Sequence, residues 1–415
     1  MSPAARKIGL IFLIMIIWAS AAQSQYSLNG YLKNFFVIFR QPNIPYGMLL
    51  GLPEQGYLGS VNQRVRLQSN FRPTHWVNFQ VDYDLSLRVQ DSLLFAETVF
   101  FNTIDPLDYR VRDLQRKVFG GGGNQTKTFG ILQNLDRLNA EIHLPFADLY
   151  VGRQAIAWGS ARVLNPTDVI APFTFDELDK EERIGVDAFR LRVPLGMMGE
   201  LDAGYVFGKE WRVPRSALYT RLKVYQFQSD ISFLLLKFRE NLLLGMDLAR
   251  SIGGAGFWLE TAYVFAETFS QTKSASATDY LRLTLGADYS LTGETYGFVE
   301  YHYNGAGEDR PEKYIENIGG IAYREGAVYL LGTHYLIPGI IHQLHPLLTL
   351  TVQGMINIMD QSLYLSPVLE YNAAQNIYLS AGAFVGLGKS PGRLGIRSEF
   401  GTYPDTFFTS FRFYF

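Results

Sequence analysis

The sequence predicts an all-β protein, a transmembrane antiparallel β-barrel of about 18 strands with short periplasmic turns and long outer loops. Three observations predict it: strict alternation of apolar and polar residues, aromatic residues near the segment ends, and connections that alternate between short and long. The composition agrees, because the 415 residues are 47% hydrophobic and only 18% charged, which excludes a disordered chain.

The alternation is clearest between Val77 and Val89. Every second residue there is apolar, whereas the residues between them, from Asn78 to Arg88, are polar or charged. Successive side chains of a strand point to opposite faces, so this segment has one apolar and one polar face. The same pattern recurs around residues 61–71, 135–144, 189–193, 219–224, 281–289, 348–356 and 363–371.

Such alternation also suits a soluble sandwich or barrel, in which the apolar face points inward. The membrane interpretation is favoured by segments of about 9–13 residues, enough for a tilted strand to cross a bilayer. Short turns (72–75, 145–148, 194–199, 290–294, 372–376) also alternate with long polar segments (41–59, 90–133, 158–184, 304–325). Aromatic residues that we assign to an interfacial girdle are Tyr26, Tyr31, Trp76, Trp258, Tyr301, Tyr303, Tyr335, Phe411 and Phe413.

The N-terminus has the pattern of a secretory signal peptide. Arg6 and Lys7 precede the apolar run Ile8–Trp18, and small residues follow it. The run is too short to span a bilayer as a helix, although an uncleaved anchor is the alternative. We therefore predict a cleaved signal peptide at residues 1–24, a barrel at residues 25–415, and location in the outer membrane of a Gram-negative bacterium.

If the apolar faces meet lipid, the polar faces line a lumen. Charges of both signs in a confined aqueous lumen select solutes by charge, or they form ion pairs that brace neighbouring strands, and both roles are compatible. We assign these residues to the lumen: Arg64, Arg66, Asp82, Asp84, Arg137, Glu141, Arg190, Arg192, Arg221, Lys223 and Arg282. The acids Asp247, Glu260, Asp288, Glu300 and Glu370 share the same faces.

The segment from Gly152 to Gly185 is the most unusual connection. It combines glycines, an Asn165-Pro166 turn signal, an acidic run and enough apolar residues to pack. We predict that it folds into the lumen and narrows it, the alternative being an outer loop packed on its neighbours. The predicted constriction residues are Trp158, Asn165, Pro166, Asp168, Asp176 and Glu177.

Gly152-Arg153-Gln154, Trp158-Gly159 and Asn165-Pro166-x-Asp168 resemble a signature of porin-like outer-membrane channels of Gram-negative bacteria, which include alginate-export-type channels. The resemblance implies a barrel of roughly 18 strands, with Arg153 as a lumen arginine. Some such channels pass anionic polysaccharide through an arginine-rich lumen. The ending Ser410–Phe415 resembles the terminal strand of these barrels, which implies that Phe415 is read by the barrel-assembly machinery.

The predicted function is a porin-like channel for small or anionic hydrophilic solutes, in contact with outer-membrane lipid. No enzyme activity, cofactor or metal is expected, because the sequence contains no H-E-x-x-H motif, no G-x-S-x-G motif and no cysteine. The alternative is a catalytic set assembled from separate strands, which would leave no recognisable spacing in the sequence. The net charge of −2 argues against nucleic-acid binding. Two alternatives remain: a barrel that sheathes a partner such as a multihaem cytochrome, and a closed barrel that binds polysaccharide at the surface. Substrate, transport direction and oligomeric state are not predicted.

Overall fold

The computed structural model describes residues 25–42, 56–91, 94, 106–120, 128–274, 277–325, 328–392 and 395–415. The predicted signal peptide lies outside these residues. The strands are β1 (Gln25–Arg40), β2 (Tyr57–Thr74), β3 (Val77–Gln90), β4 (Lys117–Phe119), β5 (Phe129–Leu144), β6 (Ala147–Gln154), β7 (Val186–Leu195), β8 (Gly199–Val206), β9 (Ala217–Gln226), β10 (Ser229–Phe238), β11 (Asn241–Ile252), β12 (Ala255–Phe265), β13 (Tyr280–Ser290), β14 (Thr295–Asn304), β15 (His334–His345), β16 (Leu348–Asn357), β17 (Ser362–Ala374), β18 (Ile377–Leu387) and β19 (Asp405–Tyr414).

Eighteen of the strands in the described residues close into one antiparallel barrel. Each pairs with the next along the chain, and β1 pairs with both β2 and β19, so that Tyr31 lies opposite Tyr414 at the closing seam. The short strand β4 pairs with the first residues of β5, around Ile131 and Leu132, and is not one of the strands of the ring. The predicted fold class is confirmed.

In the part of the chain that the structure describes, helical structure is limited to short pieces. Two helices, α1 (Tyr314–Ile318) and α2 (Ile321–Arg324), lie in the connection between β14 and β15. Within the described ranges, no helix is long and apolar enough to cross a membrane.

The two ends of the barrel differ in their connections. At one end, which we call the turn end, eight turns of two to four residues join the strands. The opposite loop end carries the long connections, although two of its connections are short: Arg239–Glu240 and residues 358–361. Residues 395–400 belong to the β18–β19 connection and contain no strand.

The strand faces follow the predicted alternation. Large apolar side chains on the outer face are exposed, as for Leu85 at 42%, whereas Arg66 and Asp82 on the inner face are buried. Three aromatic residues that we assigned to the girdle, Tyr31, Trp258 and Tyr335, are buried inside the barrel instead. The assignment was wrong because their position along the strand puts them on the inner face.

The loop-end half of the barrel interior is packed with apolar side chains. One cluster joins Ile156 and Ile170 to inward residues of the wall such as Leu236 and Val264. A second cluster joins Phe175 to residues of β15 and β17 and of the β18–β19 connection. The charged inner surface is therefore concentrated on β2–β5 and toward the turn end.

Candidate functional site

The connection between β6 and β7, residues 155–185, lies inside the barrel and is called the inserted segment below. It bonds to inward side chains of β11–β14 on one side and of β1 and β2 on the other. In the ring of strands, β2 lies nearly opposite β12, so these contacts reach across the lumen. The sequence analysis expects this loop to fold into the barrel, and the structure places it inside.

The first anchor of the inserted segment consists of two buried wall carboxylates, Glu260 and Glu300. Glu260 accepts hydrogen bonds from the backbone N–H of Ser160 (3.1 Å) and from the N–H and hydroxyl of Thr167 (2.8 and 2.7 Å). Glu300 accepts from the N–H of Val163 (3.1 Å) and from the Trp258 indole (2.9 Å). These carboxylates satisfy backbone donors that would otherwise be buried without a partner.

The backbone conformation of Gly159 and the contacts of Trp158 explain why glycine and tryptophan occupy these two positions of the motif. Gly159 has a φ of +113°, and a Cβ there would lie 2.2 Å from Oδ1 of Asn165 and 2.6 Å from Oε2 of Glu260. Only glycine permits this backbone conformation and this approach. Trp158 packs edge-on against Tyr219, with ring centroids 4.6 Å apart, and its indole N–H reaches Asp202 at 3.4 Å.

The second anchor is ionic and lies on β1 and β2. The Lys33 ammonium, fully buried, bonds to Asp179 at 2.9 Å and also to Glu181. Arg64 reaches Asp179 at 3.4 Å. The acidic run of the inserted segment is thus paired with a basic part of the wall. Lys33, which shares the inner face of β1 with Tyr31, is an anchoring residue that the sequence analysis missed.

Within the inserted segment, burial perturbs two carboxyl groups. Burial raises the pKa of Asp168 to about 6, although Arg183, which pairs with it, acts in the opposite direction. Burial, reinforced by the nearby Asp179 and Asp176 carboxylates, raises the pKa of Glu177 to about 7. The segment is additionally held by Phe175, whose ring packs on Tyr364 and Tyr403.

Arg66 is the centre of a buried ion cluster on β2–β5. It bonds to Asp136 at 2.8 Å, Asp82 at 3.0 Å and Asp84 at 3.3 Å, and all of these side chains are buried. A register shift in β5 places both Asp136 and Arg137 inside, where they pair. Because each charge is enclosed by partners, these residues brace the wall and are covered from open water.

The predicted lumen residues toward the turn end lie on neighbouring strands and are partly exposed. Arg190 pairs with Asp202 at 2.7 Å, and Lys223 pairs with Asp230 at 3.0 Å. Arg192 pairs with Glu200, and its side chain is 37% exposed. Glu141 lies 3.8 Å from His143, and Arg221 bonds to the Ser232 hydroxyl at 2.8 Å.

Two predicted lumen arginines are buried in structural positions. Arg153 is held at the loop-end rim by Asp187 (2.7 Å) and Asp113 (2.9 Å). Arg282 is buried under the inserted segment, with the Pro166 carbonyl 3.3 Å from its guanidinium. Neither side chain faces a large aqueous space, because other parts of the chain cover both.

Arg162 of the inserted segment is a candidate lumen residue that the sequence analysis did not select. It pairs with Asp288 at 2.7 Å and lies over the Trp258 ring, yet its side chain is 53% exposed. Because Asp288 lies on the inner face of β13, the exposed side chain of Arg162 lies on the inner side of the wall. Its only sequence signal was its place in the unusual connection.

Phe415 closes the chain against the first strand. Its backbone N–H donates to Gly30 at 2.9 Å, and its carbonyl accepts from the Gly30 N–H at 2.8 Å. The terminal residue therefore belongs to the seam that completes the ring.

No protein-family model and no curated protein matches the sequence. Solved structures do match: Pseudomonas aeruginosa OccD3 (OpdP) is 10% identical, with 94% of this chain and 91% of that chain covered and a TM-score of 0.54. Acinetobacter baumannii OccAB4 is 10% identical, with 94% and 98% covered and a TM-score of 0.57. Pseudomonas aeruginosa OccK5 (OpdH) is 12% identical, with 94% and 97% covered and a TM-score of 0.53. These neighbours are outer-membrane porins of the Occ/OprD family, so a porin-like fold is shown, whereas the alginate-export type is not confirmed.

Proposed function

We propose that this protein is a porin-like outer-membrane channel through which small hydrophilic solutes diffuse. The observation that carries the proposal is the reversal of the two strand faces: Leu85 and its equivalents face outward, whereas Arg190, Arg192 and their acidic partners face inward. A closed barrel with this arrangement satisfies its backbone hydrogen bonds within lipid and keeps its charges in water. The fold shared with outer-membrane porins supports the same function.

The inserted segment is the proposed constriction, and the solute would pass its exposed side chains, including Arg162. The preference of the lumen for anions or cations depends on a small excess of one charge over the other, because Arg190, Arg192 and Lys223 each have an acidic partner. Arg221 has no ion-pair partner among the described residues and bonds to a hydroxyl instead. Asp247, which lines the same small cavity, offsets part of this charge, so Arg221 supports at most a modest preference for anions.

A closed, surface-binding barrel is the second candidate, favoured by the apolar packing in the loop-end half of the interior. A barrel that sheathes a cytochrome is less well supported, because the inserted segment occupies space that a sheathed partner would need. Conductance separates the candidates. Discrete, ion-selective channel openings in a planar bilayer support the porin-like channel, silence supports the closed barrel, and co-purifying haem supports the sheath.

Charge selectivity is tested by replacing Arg190, Arg192 and Arg221 together with Ala. The reversal potential in a salt gradient should move toward cation preference, because three positive charges leave the lumen. Arg250→Ala is the matched control, since Arg250 lies near the same end but on the outer face. A reversal potential that the triple variant leaves unchanged would contradict filtering by these arginines.

Export and assembly belong to the same proposal. Residues 1–24 would direct export and be removed, and Phe415 would present the terminal aromatic to the barrel-assembly machinery. Phe415→Ala should reduce the amount of barrel in the outer membrane while the protein still refolds in detergent. Equal amounts of variant and wild type in the membrane would argue against this role.

A further inference from the structure

The inner wall has two sides of different chemistry in the turn-end half of the barrel. The inner face of β5–β11 carries charges of both signs there, among them Arg190, Lys223 and Asp230. On the inner face of β14–β18 at the same end, which we call the neutral wall, Glu370 is the only charged residue among those that the structure describes, and Arg412 of β19 compensates it. In the ring of strands β16 lies opposite β7, so the two chemistries face each other across the lumen.

The neutral wall contains an aromatic platform made of Phe298 and Tyr296, both half-buried on β14. A Cβ at Gly339, the residue opposite Phe298 on β15, would lie 2.2 Å from Cζ of the Phe298 ring. The ring therefore lies against the backbone of β15, in space that only glycine leaves open. Because one side of the ring contacts the wall, the other side faces the lumen. The Tyr296 ring extends this surface, with its centroid 6.5 Å away.

Uncharged hydrogen-bonding groups lie next to the platform, on β16. Gln353 is opposite Gly339, just beyond the Phe298 ring. Thr351 is on the same face, one inner position nearer the turn end. Both side chains are partly exposed, and in the described part of the chain neither is engaged by another side chain. Their amide and hydroxyl groups can therefore donate to and accept from a solute.

The platform adjoins the proposed constriction. The Tyr296 hydroxyl donates to Asp288 at 2.7 Å, and Asp288 also pairs with Arg162 at 2.7 Å. Asp288 is the residue opposite Phe298 on β13. A solute that touches the exposed Arg162 side chain therefore lies within reach of the platform.

We propose that the neutral wall binds saccharides, with a pyranose ring on Phe298 and its hydroxyls bonded to Gln353 and Thr351. This rests on the proposed channel function and names a substrate class for it. A pyranose has a face of C–H groups that packs on the negative face of an aromatic ring, and its hydroxyls both donate and accept hydrogen bonds. Small carboxylates and amines would be drawn instead to the charges of β5–β11.

Maltohexaose, a neutral oligosaccharide, is the probe. Saturation-transfer NMR of the detergent-solubilised protein detects contact with the C–H protons of the sugar and requires no open pore. Phe298→Ala should raise the dissociation constant obtained by titration about fivefold, whereas Phe298→Tyr, which keeps the ring, should leave it near the wild-type value. Phe233→Ala is the matched control, because it removes an exposed ring from the outer face of β10 and should change nothing.

A planar bilayer supplies the second measurement. Maltohexaose should interrupt the ion current through the wild-type protein, and less often the current through Phe298→Ala, whose folding is verified by gel migration of the unheated protein. A conducting protein without interruptions or saturation transfer would overturn the saccharide site and leave the channel. Equal affinity of Phe298→Ala and wild type would also overturn the site. Binding weakened by Phe298→Ala in a protein that never conducts would support the site and overturn the channel function instead.

Discussion

The ion cluster around Arg66 and the ion pairs of β7–β10 are made of the same residue types but occupy different environments. Arg66 and its three aspartates are buried, whereas Arg192 and Lys223 have side chains that are more than one third exposed. Both sets lie on the inner face of the barrel. The two sets differ because the inserted segment covers only the ion cluster around Arg66. The Glu182 side chain lies 3.6 Å from Arg66, and the Arg183 carbonyl accepts a hydrogen bond from Arg137.

The difference shows that an inward charge is not always a charge in water. A buried charge is tolerated only when it is paired, so the Arg66 cluster is committed to holding the wall and the inserted segment together. A partly exposed pair is screened by water and contributes little to stability, so Arg192 and Lys223 remain able to act on a solute, whereas Asp202, the partner of Arg190, is itself buried.

The largest effect is expected for Arg66→Met. Removing the guanidinium leaves Asp82, Asp84 and Asp136 buried with fewer partners, which should cost about 3–5 kcal/mol of unfolding free energy. Denaturant titration of the refolded barrel, followed by gel migration, measures it. A loss below about 1 kcal/mol would mean that water reaches the cluster and that the two regions are alike.

Glu260→Gln tests the anchor of the inserted segment. The carboxylate accepts several bonds from Ser160, Ala161 and Thr167, and a hydrogen bond to a charged group contributes about 1.5–3 kcal/mol. We expect amide hydrogen exchange at Ser160, Ala161 and Thr167 to become at least about tenfold faster. Glu370→Gln, which alters a half-exposed acid outside this anchor, should leave these exchange rates unchanged.

Gly159→Ala should destabilise the barrel by about 1–3 kcal/mol, because the new Cβ meets Asn165 and Glu260 at a positive φ. Gly293→Ala is the matched control, since nothing lies within 4 Å of a Cβ at that turn. Thermal unfolding of the two variants gives the comparison. Equal midpoints would show that the inserted segment is free to shift.

The pH dependence of the inserted segment follows from Glu177. Its pKa rises from 4.5 to about 7, so the folded state keeps a proton that the unfolded state has released. The associated stabilisation is complete below pH 4.5 and is lost as the pH rises through 7, a change of about 3 kcal/mol. Glu177→Gln should flatten the stability profile between pH 5 and about pH 8. A profile unchanged by the substitution would assign the dependence to other groups.

Arg192→Gln should have the smallest effect on stability, below about 1 kcal/mol, because its pair with Glu200 is partly exposed. Its reversal potential should nevertheless shift toward cations, since Glu200 loses its partner. A small loss of stability together with a shifted reversal potential would contrast with the large loss of stability expected for Arg66→Met. It would sharpen the comparison between the two regions. A large loss of stability would instead assign Arg192 to the bracing of the wall.

The sequence by itself determined the barrel, the approximate number of strands and the face of most side chains. Alternation with a period of two is a local property, so segments such as 77–89 reveal which residues share a face without knowledge of their neighbours. The unusual composition of residues 152–185 likewise distinguished the segment that enters the barrel.

Only the tertiary structure decided which inward charges are covered. Lys33 and Asp179 are 146 residues apart, and Ser160 and Glu260 are 100 apart, so no local pattern pairs them. The burial of Arg153 and Arg282 likewise depends on segments that arrive from elsewhere in the chain. A strand's periodicity fixes the direction of a side chain, whereas its contact with water depends on what the folded chain brings against it.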